Sequence, residues 1–370
     1  MSKPAIRGLN SFKAEIISYL NKFTKDEKAI FDAIYKMQAT TGILNPPAEM
    51  FEWIVANFGS LAAVKVQDFV KLTNIVTYEG AIFNELRTNR PMVGDDNFSE
   101  VLDEIQQAYT DPHPFATPLT GTPEDSFGRI KGKYCITASN IAKYDGFHGL
   151  IIYDNPNPLL FSRKRVIDYF AVATKWFAKA HETNKEAIYP LYTWNCLWKA
   201  GASIIHGHSQ IALTEGMAYS KVEEMRYTTL KYQEANRRNY YDDVFMIHKK
   251  LGLGLERDGI RLMVKITPIK EKEVMFFAPE FNDKLASLVS DVLNVFKERL
   301  GVASFNLAVV LPPMAKTPEV WDHMPVVVRI VDRGKLTVKT VDIGGMELYA
   351  QSIVASNPYA VMKELRASLL

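Results

Sequence analysis

The stretch Ile204-Ile205-His206-Gly207-His208-Ser209-Gln210-Ile211-Ala212-Leu213 is typical of a strand that carries polar side chains at alternate positions. It contains two of the seven histidines of the chain, and a glutamine follows two residues later. Because side chains along a strand alternate between the faces of a sheet, His206, His208 and Gln210 are predicted to share one face. Leaving a buried polar group unpaired costs roughly 1–3 kcal/mol, so these three must satisfy one another or face a site.

The residues of this stretch alone leave three interpretations open. The first is a hydrogen-bonded cluster at a strand edge, and the second is a metal site, since HxH on a strand can offer two imidazoles to one ion. In the third, His208 attacks a phosphorus atom and forms a transient phosphoramidate. His206 or a backbone carbonyl would then fix the tautomer of His208.

Gln210 bears on the type of reaction. An amide donates hydrogen bonds but cannot deliver a proton at neutral pH. A phosphate leaving group is a weak base and needs no general acid. A His-x-Gln site therefore favours the exchange of a nucleotidyl group between phosphates over hydrolysis with an amine or alcohol leaving group.

The periodicity around this stretch predicts an α+β protein. Residues 1–60 are expected to be helical, with Gly42 and Asn45-Pro46-Pro47 ending one helix. The elements expected further along are strands at about 150–153, 187–195, 204–213, 261–268, 274–277, 304–311, 325–332 and 336–342, and helices at about 163–182, 218–240, 281–299 and 357–368. Each half then reads as antiparallel strands plus a long helix, so a duplicated α+β unit is expected.

Composition excludes several classes of function. The chain has 370 residues, 47% hydrophobic content and a formal charge of +2, which gives no global basic field for nucleic acid. Cys135 and Cys196 form no CxxC pair and no disulfide framework, as expected of a reducing compartment. No apolar run reaches membrane-spanning length, and the first residues do not resemble a signal peptide. A cytoplasmic enzyme or binding protein, without nucleic-acid or membrane partners, is the expectation.

The segment Trp194–Gln210 resembles the active-site segment of galactose-1-phosphate uridylyltransferases, the transferase branch of the histidine-triad (HIT) superfamily. That family shows an Asn, then a Gly and a Ser, then His-Pro-His-x-Gln. The residues at matching spacing here are Asn195, Gly201, Ser203, His206, His208 and Gln210. The resemblance implies two tandem HIT-like units of antiparallel sheet plus helices, with a helical N-terminal extension.

The resemblance also implies roles for individual residues. His208 would be the nucleophile that carries the nucleoside monophosphate, assisted by His206, Ser203 and Gln210. Backbone amides of the 199–203 loop would neutralise developing charge. The residues that would contact substrate are Arg87 and Arg90 of an Arg-x-x-Arg-Pro segment, Asn140, Asn195, Lys199, Gly201, and Glu347 of a Gly-x-Glu segment that would hold sugar hydroxyls.

The metal sites of the family are mostly missing from this sequence. Where a Cys-x-x-Cys pair is expected, the chain reads His113-Pro114-Phe115-Ala116. A tetrahedral zinc site needs about four ligands, and only His206 and His113 remain as candidates. For the second metal site Glu224 and His323 match in position, but Trp321 replaces a second histidine. No cofactor is therefore expected, with zinc or iron as the open alternative.

Taken together, these residues favour a nucleotidyltransferase that moves a nucleoside monophosphate from a nucleotide sugar or dinucleotide to a sugar phosphate or phosphate. The expected regions are 1–75, a helical extension; 76–245, the first HIT-like half with the HxHxQ site; and 246–370, the second half. Family resemblance also implies a homodimer. The alternatives are a dinucleoside-polyphosphate or ADP-sugar phosphorylase, an inactive nucleotide-binding regulatory protein, and a metal-dependent hydrolase built on His206 and His208. The base and the sugar are not predicted.

Overall fold

The structure is a computed structural model that describes residues 11–89 and 98–370. Its α-helices are α1 (Phe12–Leu20), α2 (Lys25–Ile34), α3 (Phe51–Phe58), α4 (Leu61–Lys65), α5 (Phe98–Thr110), α6 (Pro118–Gly121), α7 (Arg163–Thr183), α8 (Ser220–Asn236), α9 (Tyr240–Lys250), α10 (Asp283–Glu298), α11 (Gly345–Tyr349) and α12 (Pro358–Leu369). Its strands are β1 (Tyr35–Ile43), β2 (Val66–Asn74), β3 (Gly80–Phe83), β4 (Cys135–Ser139), β5 (Phe147–Tyr153), β6 (Ala187–Cys196), β7 (His208–Glu215), β8 (Gly254–Arg257), β9 (Ile260–Val264), β10 (Val274–Ala278), β11 (Phe305–Val310), β12 (Val326–Asp332) and β13 (Ser352–Val354).

The larger sheet has nine antiparallel strands in the order β4-β5-β7-β6-β11-β12-β10-β9-β8. Along the chain, β4 and β5, helix α7, then β6 and β7 make one half. In the second half β9 and β10, helix α10, then β11 and β12 repeat that arrangement. The two halves meet where β6 pairs with β11, and the strand order is mirrored about that pair. This topology confirms the predicted α+β class with two tandem units.

One face of this sheet forms the main core. Helices α7 and α10 contact each other, and α7 covers the strands of the first half. Trp194 on β6 and Trp176 on α7 are fully buried there. Gly149 on β5 lets the helix approach, because a Cβ at this position would lie 2.8 Å from the Trp176 ring. Since strand residues alternate, Thr193 and Asn195, the neighbours of Trp194, point to the opposite face.

The smaller sheet corrects the prediction that residues 1–60 are helical. Its strand order is β1-β2-β3-β13, with β13 parallel to β3. Tyr35 ends α2 in an extended conformation, and β1 pairs with β2 from Tyr35↔Asn74 to Ile43↔Val66. The partner lies about thirty residues away, so local periodicity could not reveal the strand. Residues from all three predicted regions contribute to this sheet, and the boundaries at 75 and 245 stay predictions.

Three further predicted elements differ in the structure. The helix expected at 218–240 is two helices, α8 and α9, separated where Arg237 has a left-handed φ of 56°. Residues 336–342 form no strand. The strand expected from 204 begins at His208, because residues 204–207 continue the preceding loop. The other expected strands and helices agree within a few residues of their bounds. Within residues 11–89 and 98–370, no helix has the length and apolar character that a bilayer crossing requires.

Candidate active site

His208 is the first residue of β7, and its side chain is 7% exposed. Its Nδ1 lies 2.8 Å from the carbonyl oxygen of His206. A carbonyl can only accept, so Nδ1 carries the proton and Nε2 keeps its lone pair. No hydrogen bond from the described residues reaches Nε2. Burial lowers the pKa of His208, so the ring is neutral at physiological pH.

His206 lies two residues before His208, in the loop that leads into β7. Its Nε2 is 2.8 Å from the carbonyl oxygen of Tyr153 on β5. Its ring centroid is 5.0 Å from that of His113 and 6.1 Å from that of Phe115. Burial lowers the pKa of His206 to about 4. The His206 side chain therefore links the start of β7 to β5, and the His206 carbonyl fixes the tautomer of His208.

The candidate metal ligands do not assemble into a site. Within the described residues, no group of three or more His, Cys, Asp or Glu side chains is arranged to hold an ion. Phe115 lies beside both His206 and His208 with its ring 5.1 Å from that of His208, in the segment where the family has its cysteines. His323 approaches Thr229 and the Arg226 carbonyl at 3.1 Å. Glu224 pairs with Lys221 at 3.1 Å. These side chains do not fit a four-ligand zinc centre.

Gln210 belongs to a polar network that the sequence did not predict. Its Oε1 lies 3.1 Å from Nε2 of His148 on β5 and 3.5 Å from the Tyr144 hydroxyl. The Tyr144 ring packs on the His148 ring with centroids 3.6 Å apart. The predicted Asn140 is also here: its Nδ2 is 3.3 Å from His148 Nε2, and its Oδ1 accepts from the amide of Ala142. Sequence analysis missed His148, although a polar residue on an apolar strand was an available signal.

The loop between β6 and β7 carries three predicted residues besides His206. Gly201 has a left-handed φ of 91°, a conformation that favours glycine. Ser203 is exposed, and no described residue makes a hydrogen bond with its hydroxyl. Lys199 Nζ donates to the carbonyl oxygen of Thr340 at 2.9 Å. The amides of Ala200 and Ala202 both donate to the Leu197 carbonyl, so the loop is held by its own backbone and by Lys199, with the Ser203 hydroxyl exposed.

Asn195 connects the His208 face to the second half of the sheet. Its Oδ1 accepts a hydrogen bond of 2.7 Å from Asn306, the residue directly opposite on β11. Asn306 also donates to the Ala200 carbonyl and accepts from Arg333. Arg333 in turn grips Asp342 with two hydrogen bonds of 2.8 and 3.0 Å. Asn306, Arg333 and Asp342 were not predicted, because only strand pairing brings them to Asn195.

Arg87, Lys199 and Glu347 line a single cleft of about 420 Å³. The unpredicted basic residues Lys270, Arg333 and Lys335 line it as well. The cleft also holds acidic side chains, and one of them, Asp342, pairs with both Lys270 and Arg333. Glu347 caps α11: its Oε2 accepts from the Gly344 amide at 2.9 Å and its Oε1 from the Ile353 amide at 3.4 Å. Burial alone would raise the pKa of Glu347, but these backbone hydrogen bonds and Lys270 lower it. Arg90 lies outside the described residues.

The structure thus groups the predicted residues into three neighbourhoods. The first holds His206 and His208 beside Phe115. The second is the Gln210 network. The third is the basic cleft, and hydrogen bonds through Asn306 and Arg333 link it to Asn195. The first two share β7. His208 and Gln210 are two residues apart on that strand and face the same side, so a phosphoryl group on His208 would lie next to the Gln210 amide.

The two-unit fold of the sheet that carries His208 is shared by several solved structures. An ADP-glucose phosphorylase from Arabidopsis thaliana, solved with bound ADP-glucose, superposes with a TM-score of 0.61 at 15% identity, over 79% of this chain and 96% of that one. A GalT-like protein from Arabidopsis thaliana gives 0.58 at 15% identity, over 80% and 98%.

A structure described as a uridylyltransferase gives a TM-score of 0.54 at 14% identity, over 67% of this chain and 88% of that one. The sequence matches no family model and no curated protein. At this level of identity the likeness establishes the fold. The fold implied by the sequence resemblance is therefore confirmed, and the chemistry is argued from the site.

Proposed function

We propose that this protein is a nucleotidyltransferase that moves a nucleoside monophosphate from a nucleotide sugar to a phosphate-bearing acceptor through a covalent intermediate on His208. One observation carries the proposal: Nδ1 of His208 is fixed on the His206 carbonyl while Nε2 is left without a partner among the described residues. A buried, neutral imidazole with one free lone pair is an activated nucleophile. The known structures with this fold, a phosphorylase and a uridylyltransferase among them, support the assignment.

In the first step Nε2 of His208 attacks the α-phosphorus of the donor, and a P–N bond forms. The bond from that phosphorus to the bridging oxygen breaks, and the sugar phosphate leaves with the electron pair. Positive charge on the imidazolium is stabilised by the Nδ1–H bond to the His206 carbonyl. The leaving group is a phosphate and needs no proton from the enzyme, which suits an amide at Gln210.

In the second step an oxygen of the acceptor phosphate attacks the same phosphorus, the P–N bond breaks, and His208 returns to its neutral form. The amide of Gln210 and the exposed hydroxyl of Ser203 would stabilise the charge that develops on phosphorus oxygens. The acceptor would occupy the basic cleft beside Arg87 and Lys335, because Lys270 and Arg333 already pair with Asp342. Glu347 lies at the same cleft and would meet sugar hydroxyls.

The proposals for the donor, the cofactor requirement and the oligomeric state are based on the known structures and on the family resemblance. Bound ADP-glucose in one structure of this fold supports an ADP- or UDP-sugar as the donor. We propose that the reaction needs no metal or other cofactor and that the protein acts in the cytoplasm as a homodimer. An adenylyl or uridylyl transfer to inorganic phosphate, as in a phosphorylase, uses the same His208 chemistry and is the main alternative.

An isotope-exchange assay tests the proposal. The protein is incubated with UDP-glucose, UDP-galactose, ADP-glucose or a dinucleoside tetraphosphate, each with its own labelled leaving group. A covalent intermediate predicts that label enters at least one donor without any second acceptor. The matched controls are His208→Asn, which must abolish exchange, and His181→Asn, which lies on α7 and must not. Binding of a donor without exchange by the wild type would favour the regulatory alternative, and strict dependence on zinc or iron would favour the hydrolase.

A further inference from the structure

A second cavity, of about 460 Å³, lies on the nine-stranded sheet away from the predicted site. Its floor is formed by β9–β12, and its walls come from α8, α9 and the turn between β2 and β3. Of the described residues that the sequence singles out, only Glu224, a candidate metal ligand, lines it. The volume falls in the range of small-molecule sites, about 300–1,000 Å³.

The floor of this cavity shares a sheet face with Gln210. Directly paired residues on neighbouring strands point to the same face. One such row runs across the sheet through Gln210, Thr193, Ala308, Arg329, Met275 and Met263. Its last four members line the cavity. The cavity is therefore the counterpart, in the second half, of the surface that carries the proposed nucleophile.

The mirrored strand order also relates individual residues of the two halves. Gln210 and Arg329 lie in the same row, and each lies one strand away from the central β6–β11 pair. Arg329 thus takes the place in the second half that Gln210 takes in the first. The other floor residues, Ala308, Met275 and Met263, carry no nucleophile. A ligand in this cavity would be bound without covalent chemistry.

Every charged side chain that lines the cavity is paired. Arg329 contacts Glu79 at 2.6 Å and Glu273 at 2.6 Å. Lys265 contacts Glu79 and lies 3.8 Å from Glu273, which is fully buried. Although burial alone would raise the pKa of Glu79, Arg329 and Lys265 lower it to about 2, so its charge is held. At the rim, Lys221 and Glu224 pair at 3.1 Å. Among the described lining residues no cation is free to bind a phosphate, so an anion would have to break an existing pair.

The uncharged lining residues indicate an aromatic ligand. Met225, Met263 and Met275 line the cavity together with four tyrosines: Tyr35, Tyr78, Tyr240 and Tyr241. Thioether sulfurs and aromatic rings both make favourable contacts with a flat ring. Thr77 and Asn306 add polar groups to the lining. We propose that this cavity is a non-covalent site for an uncharged heteroaromatic molecule of nucleobase or nucleoside size, separate from the His208 site.

The separation between the two sites follows from strand spacing. Gln210 and Arg329 are three strands apart, which is about 14 Å at roughly 4.8 Å per strand. Both ligands can therefore be bound at once. Asn306 lines the cavity and also donates a hydrogen bond to Asn195 on the His208 face. A ligand bound in the cavity could therefore affect the proposed reaction through Asn306. The site itself does not depend on that reaction.

The test is methyl NMR on the full chain with 13C-methyl methionine, assigned by single substitutions. Adenosine and uridine are titrated, and AMP and UMP serve as charged probes. At least one nucleoside is expected to shift the Met225, Met263 and Met275 signals saturably, and its monophosphate to bind at least fivefold more weakly. Thr228→Trp, which fills the wall on α8, should weaken binding at least tenfold. Tyr227→Trp is the control, because that neighbouring side chain is exposed and does not line the cavity.

The same titration on His208→Asn separates this proposal from the proposed function. Unchanged nucleoside affinity in that variant would support an independent site, whether or not the protein proves to be a transferase. The proposal is overturned if neither nucleoside moves the three methionine signals in the wild type. It is equally overturned if Tyr227→Trp weakens binding as much as Thr228→Trp, or if His208→Asn abolishes binding.

Discussion

Nε2 of His148 lies 3.1 Å from Oε1 of Gln210, across the β5–β7 pair. The backbone amide of Tyr144 points at the other ring nitrogen, Nδ1, at 3.4 Å. An amide can only donate, so Nδ1 accepts and Nε2 carries the proton that Gln210 accepts. The NH₂ group of Asn140, 3.3 Å from the same Nε2, is then in contact with it without a hydrogen bond. Burial lowers the pKa of His148, which keeps this neutral tautomer. The oxygen of Gln210 is thereby occupied, and its NH₂ group is the end left to bind a phosphoryl oxygen.

Replacement of His148 by Phe should slow nucleotidyl transfer more than it weakens donor binding. A lost hydrogen bond of about 0.5–1.5 kcal/mol corresponds to a few-fold to tenfold loss in kcat. A double-mutant cycle with Gln210→Ala measures the coupling, because His148→Phe should cost almost nothing once the Gln210 side chain is gone. Additive effects of the two substitutions would contradict the positioning role.

Replacement of Arg87 by Gln should raise the KM for the phosphate-bearing substrate with a smaller change in kcat. A charge-assisted hydrogen bond contributes about 1.5–3 kcal/mol, so a rise of roughly tenfold to a hundredfold is expected. Steady-state kinetics of the wild type and of Arg299→Gln, an exposed arginine at the end of α10, provide the comparison. An equal response of both variants would mean that the cleft does not bind the substrate.

The surroundings of Gly207 show why proline is not tolerated between His206 and His208. Its amide donates to the Pro156 carbonyl at 2.9 Å, and a Cβ would lie 2.8 Å from the Tyr153 ring. Gly207→Ala should therefore lower the free energy of unfolding by about 1–3 kcal/mol, and Gly207→Pro by at least as much. Urea unfolding checks this against Gly345→Ala, where a Cβ meets nothing within 4 Å. Stability equal to that of the control would show that the loop relaxes freely.

Acid should destabilise the fold through two buried histidines. Burial lowers the pKa of both His206 and His248 to about 4, from the ordinary 6.5. Between these values the unfolded chain binds more protons than the folded one, so the free energy of unfolding falls as pH drops from about 6.5 to 4. Urea unfolding at pH 7 and pH 5 should differ by more in the wild type than in His248→Leu. An unchanged pH dependence in that variant would contradict the assignment of His248.

Sequence reasoning succeeded where a structure is set by a single local pattern. Helix α7 carries its apolar face within one segment, so its periodicity gave bounds within a residue of Arg163–Thr183. Alternation placed His208 and Gln210 on one face of β7. It failed at β1, whose pairing partner β2 lies on the far side of two helices.

The unpredicted site residues share one physical cause. His148 reaches Gln210 only because β5 pairs with β7, and Asn306 reaches Asn195 only because β11 pairs with β6. Arg333 enters through Asn306 in turn. Each contact depends on strand order and register, which a single sequence does not specify at such separations.

The account depends most on a covalent bond to His208. The donor that supports exchange is labelled in its α-phosphate and incubated with the protein, and the denatured chain is digested and analysed by mass spectrometry. We expect one nucleoside monophosphate per chain on the peptide containing His208, labile to acid, stable to base, and removed when the native labelled protein receives acceptor phosphate. Turnover with no label on His208, or with undiminished label on His208→Asn, would contradict the account.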